Sequence, residues 1–167
     1  MQSSGIYIAL GANLPPIGRS TTDTLAAALV ELEARGIRIL AQSSIWHSPA
    51  WPDPSAPPYV NAVAEVATER SPEQLLAELH AVEADFGRVR QKRWDSRILD
   101  LDLLDYQGQQ VDRPDGLQLP HPRMTLRAFV LLPLAEIAPD WRDPASGKAI
   151  AGLIAALPAA DVGATQR

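Results

Sequence analysis

The stretch R-V-R-Q-K-R-W-D-S-R-I-L-D-L-D-L-L at 88–104 joins a cationic run to an alternating one. Arg88, Arg90, Lys92, Arg93 and Arg97 supply five of the chain's 15 Lys and Arg residues within ten positions. In an extended strand, residues two apart share a face. Asp100 and Asp102 therefore point the same way, with Leu99, Leu101 and Leu103 opposite. Two carboxylates about 6–7 Å apart repel by roughly 2–3 kcal/mol at an effective dielectric near 20. A divalent cation relieves that repulsion, and guanidinium groups beside it suit a polyphosphate held on the same ions. Carboxylates for Mg²⁺ and arginines for phosphate are the two halves of a phosphoryl-transfer site.

Working outward, Gly5–Leu10 is a short apolar run that reads as a buried first strand, with Gly11-Ala12-Asn13 as a turn. Leu25, Ala28, Leu29 and Leu32 recur at three and four, which predicts a helix over 21–35 stopped by Gly36. Alternation from Ile37 predicts a second strand to about Trp46. Residues 48–58 hold five prolines and cannot continue a ladder or a helix. Tyr59–Ala67 is a strand with Val60, Ala62, Ala64 and Val66 on one face and Tyr59, Asn61, Val63 and Glu65 on the other. Ser71-Pro72-Glu73-Gln74 is a capping box opening a helix that ends at Gly87. The aspartate strand follows, then a hairpin through Gly108 into Val111 and a turn at 113–116. Arg127–Ile137 reads as a helix broken near Pro133, and Ala149–Leu157 as a short last helix. Strand, helix, strand, strand, helix, strand is the order of an α+β sandwich with helices packed on a mainly antiparallel sheet.

The bulk numbers narrow the class. A chain of 167 residues, 46% apolar and 21% charged, suits one soluble domain spanning 1–167. A net charge of −5 argues against nucleic acid as a partner, so the local basic run points to a small polyanion. The absence of cysteine excludes disulfides, thiol catalysis and cysteine-based zinc sites. Met1 to Leu10 lacks a signal-peptide pattern, and no apolar run approaches the ~20 residues that span a bilayer. The expectation is a cytoplasmic monomer with no membrane partner.

Several motifs together carry a resemblance. They are I-Y-I-A-L-G-A-N at 6–13, P-P-Y-V-N-A-V at 57–63, G-R-V-R at 87–90 and R-W at 93–94. R-I-L-D-L-D-L-L at 97–104, L-P-H-P-R-M at 119–124 and R-A-F-V-L-L-P-L-A-E-I-A-P at 127–139 complete the set, in order over nearly the whole chain. The chain resembles the 6-hydroxymethyl-7,8-dihydropterin pyrophosphokinases of folate synthesis. The resemblance implies a ferredoxin-like fold and transfer of pyrophosphate from ATP to the pterin hydroxymethyl oxygen, with release of AMP. It implies that Asp100 and Asp102 bind Mg²⁺, two ions in all, and that Arg88 and Arg97 act on the phosphates. It places His121 and Trp94 at ATP, with Trp94 folding over the site as its loop closes. At the pterin it places Gly11, Ser48, Trp51, Tyr59, Asn61 and Phe129.

The residues themselves are consistent with those roles. A pterin is flat, fused and polar at its edge, so it needs aromatic contact on its faces and amide-type partners around it. Asn61 offers a donor and an acceptor from a strand interior, where an amide must find partners. Phe129 taken alone reads as core. His121 sits between two prolines, and Gly11 taken alone is a tight turn. Asp95-Ser96 stands where the family commonly has Gly-Pro, and Ala12 where it often has serine. Two rival readings use the same residues: a nucleotidyltransferase with paired carboxylates, and a non-catalytic ferredoxin-like binding module.

Overall fold

The structure is a computed structural model, and it describes residues 5–13, 20–49, 58–87, 98–114 and 116–167. The strands and helices that build the main sheet are β1 (Ile6–Ala12), α1 (Thr21–Ala34), β2 (Arg38–Gln42), β3 (Trp46–Ser48), β4 (Tyr59–Ala67), α2 (Pro72–Phe86) and β5 (Asp100–Tyr106). The sheet order is β2-β4-β1-β5, with β3 on the same side of β4 as β2, and every pairing is antiparallel. Counting β2 and β3 as one interrupted strand, this is the β-α-β-β-α-β order of a ferredoxin-like fold. Beyond it come the hairpin of β6 (Val111–Asp112) and β7 (Gln118–Leu119), a 3₁₀ turn at Met124–Leu126, and three further helices. Those are α3 (Ala128–Ile137), α4 (Ile150–Ala155) and α5 (Ala159–Ala164).

Alternation sorts the strand residues to two cores. Ile6, Ile8 and Leu10 of β1 pack with Val60, Ala62, Ala64 and Val66 of β4 and with Leu101 and Leu103 of β5. Leu25, Ala28 and Leu32 of α1 and Leu75, Leu79 and Val82 of α2 cover this face. The helix ends are fixed locally. Ser71 and Gln74 form the reciprocal capping box, Ser20 caps α1, and Gly36 adopts a φ of 86° just past it, where a Cβ would be strained. On the opposite face, Tyr7, Val63 and Leu104 pack under Val130, Leu131 and Leu134 of α3, joined by Trp141 and Ile150.

Five local expectations are corrected. β1 runs through Gly11 and Ala12, because both pair with β4 and Gly11 also pairs with β5. The expected strand from Ile37 to Trp46 is two pieces: the Ser43 hydroxyl accepts the Val63 N–H at 3.0 Å, filling the ladder position between β2 and β3 with a side chain. Val111 pairs with Leu119 rather than folding back on β5. α3 is continuous through Pro133. The proline's missing N–H falls opposite the carbonyl of Phe129 in the first turn, and burial of Val130, Leu131 and Leu134 holds the helix together. The final helix ends at Ala155 and is followed by α5, which periodicity did not indicate.

A bulge in β5 brings Asp105 to the same face of the sheet as Asp100 and Asp102. Tyr7 pairs with Asp105 but Ile8 pairs with Leu103, so Leu104 is the extra residue. Parity reverses there. Asp105 turns to the α3 side, where its carboxylate accepts the Trp141 indole N–H at 2.9 Å and the Gly108 N–H at 3.0 Å. Tyr106 turns to the α1/α2 core instead. Burial of Asp105 pushes its carboxyl above the usual carboxylate range, against the opposing pull of those hydrogen bonds.

Candidate active site

Among the described residues, the α3 face of the sheet is covered only in part. Where β1, β4 and β5 extend beyond the helix, a cavity of about 810 Å³ opens over them. Its floor is a row of paired residues. Asp100 lies opposite Gly11, Gly11 opposite Asn61, and Asn61 opposite Trp46; in the next row on the same face, Asp102 lies opposite Ala9 and Ala9 opposite Val63. The smallest side chains of the face thus sit in the middle strand, between carboxylates on β5 and an amide on β4. Among the described residues, a Cβ added at Gly11 would meet only the Asn61 Oδ1 at 3.4 Å and the Val60 carbonyl at 3.8 Å. Glycine is therefore not demanded by the protein's own packing there. What it provides is an open floor.

Asn61 is buried, and its Nδ2 donates to the Ser48 hydroxyl at 2.9 Å across the β3–β4 pair. Its Oδ1 stands over Gly11, directed to the cavity floor. Ser48 is also buried, and Tyr59 opposite it lines the cavity. Phe129, on the first turn of α3, is half-buried and forms a facing wall.

At the other end, Asp100 and Asp102 occupy one face of the edge strand, as alternation predicted, and both line the cavity. Asp102 is approached by the Arg127 guanidinium at 3.6 Å and by the His121 Nε2 at 3.9 Å. His121 is held from behind: its Nδ1 accepts the Arg123 N–H at 3.2 Å, and its backbone N–H donates to the Leu104 carbonyl at 2.8 Å. Burial lowers its pKa below the ordinary histidine value; Asp102 opposes that shift, while Arg127 and Arg123 reinforce it. The imidazole is therefore neutral at pH 7, with Nε2 directed to the Asp102 side.

Arg127 is the residue that sequence reasoning missed. Its guanidinium also lies 5.5 Å from the Phe129 ring centroid, so it links the ring wall to the carboxylate end. A signal existed: a cation immediately ahead of an apolar helix occupies a cap position where oxygen acceptors are favoured and positive charge opposes the helix dipole. Of the other expected site residues, Gly11, Ser48, Tyr59, Asn61, Asp100, Asp102 and Phe129 come together around one cavity. His121 stands beside it through Asp102. Trp51, Arg88, Trp94 and Arg97 lie outside the described residues. His47 and His80, given no role from sequence, are both exposed.

The donor set can be tested against a cation. Among the described residues, no group of three or more His, Cys, Asp or Glu side chains is placed to hold a metal. Asp100 and Asp102 stand two residues apart on one face of the edge strand β5. Mg²⁺ suits such an edge, because it keeps waters and takes one or two carboxylates together with substrate phosphates. The residues present therefore fit the ion. No helix among the described residues is long and apolar enough to cross a membrane.

Comparison with known proteins agrees with this geometry. Residues 7–139 match the family model for 7,8-dihydro-6-hydroxymethylpterin-pyrophosphokinase. The 2-amino-4-hydroxy-6-hydroxymethyldihydropteridine pyrophosphokinase of Synechocystis is 44% identical over 154 residues, covering 92% of this chain and 76% of the relative. The enzyme of the same name from Pseudomonas aeruginosa is 41% identical over 154 residues, 92% of this chain and 91% of the relative. Among solved structures, Plasmodium falciparum HPPK-DHPS with pteroate superposes with a TM-score of 0.66 at 12% identity, over 92% of this chain and 44% of that one. At that identity the likeness speaks to the fold alone. Strand order, the carboxylate edge and a 133-residue family match converge, and the chain belongs to the 7,8-dihydro-6-hydroxymethylpterin-pyrophosphokinase family.

Proposed function

We infer that this chain transfers pyrophosphate from ATP to 6-hydroxymethyl-7,8-dihydropterin, giving the pterin diphosphate and AMP, as a step of folate synthesis. The observation that carries the reading is the row Asp100–Gly11–Asn61 across three strands. It sets a carboxylate edge and an amide on either side of a floor without side chains. A flat heterocycle lies on that floor, between Tyr59 and Phe129. Asn61 meets its polar edge, positioned by Ser48, and its hydroxymethyl group is directed to the aspartates.

Asp100 and Asp102 are the residues that would hold Mg²⁺, two ions in the proposed complex. When bound, the ions supply positive charge that neutralises the phosphate oxygens. The chain's own groups do the rest. Neutral His121 offers an N–H to a phosphate oxygen beside Asp102. Arg88 and Arg97 grip the transferring group, and their hydrogen bonds strengthen as charge moves towards the leaving oxygen. In this reading the role of Trp94 is to fold over the site and exclude water, and that of Trp51 is to cover the ring. The hydroxymethyl oxygen attacks the β-phosphorus in line, its proton passes to solvent or phosphate, and AMP departs. Positioning and charge stabilisation carry such a transfer, so no side-chain base is required. The chain acts as a cytoplasmic monomer in this reading.

Chromatography of nucleotide and pterin products from ATP, Mg²⁺ and the hydroxymethyl pterin provides the test. AMP and the pterin diphosphate in equal amounts are expected. Release of inorganic pyrophosphate with AMP attached to the pterin would instead identify a nucleotidyltransferase, and binding without products would identify a non-catalytic module.

A further inference from the structure

The cavity has one more wall, built from residues beyond the stretch 7–139 that the family model matches. Asp161 and Ala164 of α5, with Thr165 after it, line the same space as Gly11, Asn61 and Asp102. Three contacts fix this segment in place, and one hydrogen bond closes it internally. The Gln166 N–H donates to the His47 carbonyl at 2.9 Å, and the His47 N–H donates back, so residue 166 adds to the outer edge of β3. Val162 packs against the α3 core. The Arg167 guanidinium lies 5.2 Å from the Trp46 ring centroid. Thr165 is buried, and its hydroxyl donates to the Asp161 carbonyl at 2.9 Å.

The sheet sets where this wall stands. From β5 through β1 and β4 to β3 are three strand spacings, about 14 Å in all. Gln166 pairs one strand further out, which anchors this wall on the β3 side of the cavity, away from the β5 edge that carries Asp100 and Asp102. A bound ring whose hydroxymethyl group faces those aspartates turns its aminopyrimidinone end to α5. That end carries a 2-amino group and an adjacent ring N–H, which together present more donors than one amide oxygen such as the Asn61 Oδ1 accepts. A carboxylate accepts two parallel N–H bonds from such a pair.

We propose that residues 159–166 form the outer wall of the ring pocket, and that the Asp161 carboxylate is a binding residue for the N–H donors of the ring's amino end. Asp161 thereby selects a 2-amino heterocycle over one with oxygen at that position, whose carbonyl it repels. The proposal rests on the reading of the pocket as a pterin site.

The test measures binding of 6-hydroxymethylpterin and of its 2-oxo analogue, separately from binding of an ATP analogue with Mg²⁺, in wild type, Asp161→Asn and Ala164→Trp. Wild type prefers the 2-amino ring by about a hundredfold. Asp161→Asn weakens pterin binding about tenfold and narrows that preference by a similar factor. Ala164→Trp weakens both rings, since it fills the wall. ATP-analogue affinity stays within about twofold in both variants, which reports that the fold and the phosphate end are intact. Unchanged pterin affinity and unchanged ring preference in Asp161→Asn would overturn this inference alone, whatever Ala164→Trp does. Failure of the wild-type chain to bind pterin at all would overturn the underlying reading, and this inference with it.

Discussion

The two faces of the central sheet are made by the same strands and do opposite work. On the α1/α2 face, Ile8, Leu10, Ala62, Ala64, Leu101 and Leu103 form a closed apolar layer. On the other face, the residues that alternate with them change character along the strand. Tyr7, Val63 and Leu104 pack under α3, while Ala9, Gly11, Asn61, Asp100 and Asp102 are left facing a cavity. A period-two pattern thus lets one strand serve stability and chemistry at adjacent positions, because neighbours in sequence face opposite ways outside the Leu104 bulge. The expectation is that damage to the two faces separates into unfolding and inactivation.

The sharpest way to break that contrast uses two consecutive residues. Leu101→Ala removes a side chain that is 2% exposed, and should cost about 2–5 kcal/mol of stability in denaturant unfolding. Asp102→Asn should lower kcat by on the order of 10³-fold while leaving the unfolding midpoint nearly unchanged. If Asp102→Asn unfolds the protein, or Leu101→Ala inactivates it without loss of stability, the division of labour between the faces is wrong.

A second substitution sharpens it with opposite signs at one residue. Gly11→Ala places a Cβ in ordinary contact with Asn61 and nothing closer. A strand alanine restricts the unfolded chain more than glycine does, so stability should hold or rise by up to about 1 kcal/mol. The same methyl stands on the pocket floor and should raise the pterin KM about tenfold, with kcat and the ATP KM little changed. Loss of stability with intact pterin affinity would make Gly11 a packing residue.

The smallest effect is a pH dependence. Burial depresses the His121 pKa in the folded chain, so below about pH 6.5 the unfolded chain binds a proton that the folded one refuses. The contribution is present above that pH and lost as pH falls through the folded pKa. Thermal unfolding of His121→Asn should accordingly fall less steeply than wild type between pH 7.5 and 5.5. An identical slope would mean that the imidazole is not held neutral beside Asp102.

These effects also mark where the sequence was legible. Strict alternation and a strong cap signal located Tyr59–Ala67 and the capping box at Ser71 without error, since each depends on neighbours two to four residues apart. Asp100 and Asp102 faced the same way for the same reason. Gly11 was misread as a turn because its strand conformation comes from partners on both sides, Asn61 and Asp100, which lie far along the chain. The Leu104 bulge reverses parity without a local marker, so alternation alone would direct Asp105 into the wrong core. α5 is a six-residue helix without a side-chain cap, held by Val162 in the α3 core and by the Gln166–His47 pairing that follows it. Nothing in its own spacing indicates a pocket wall. The site was therefore readable where local pattern dictated it, and hidden where distant strands assembled it.

The central claim is that the open end of the α3 face holds metal at Asp100 and Asp102 beside a ring lying over Gly11. It is tested most directly by a crystal structure with a non-hydrolysable ATP analogue, 6-hydroxymethylpterin and Mn²⁺, with the metal located by anomalous scattering. The predicted map has metal peaks bridging the two aspartates and the phosphates, and ring density between Tyr59 and Phe129. Metal bound elsewhere, with both carboxylates turned to solvent, would contradict it.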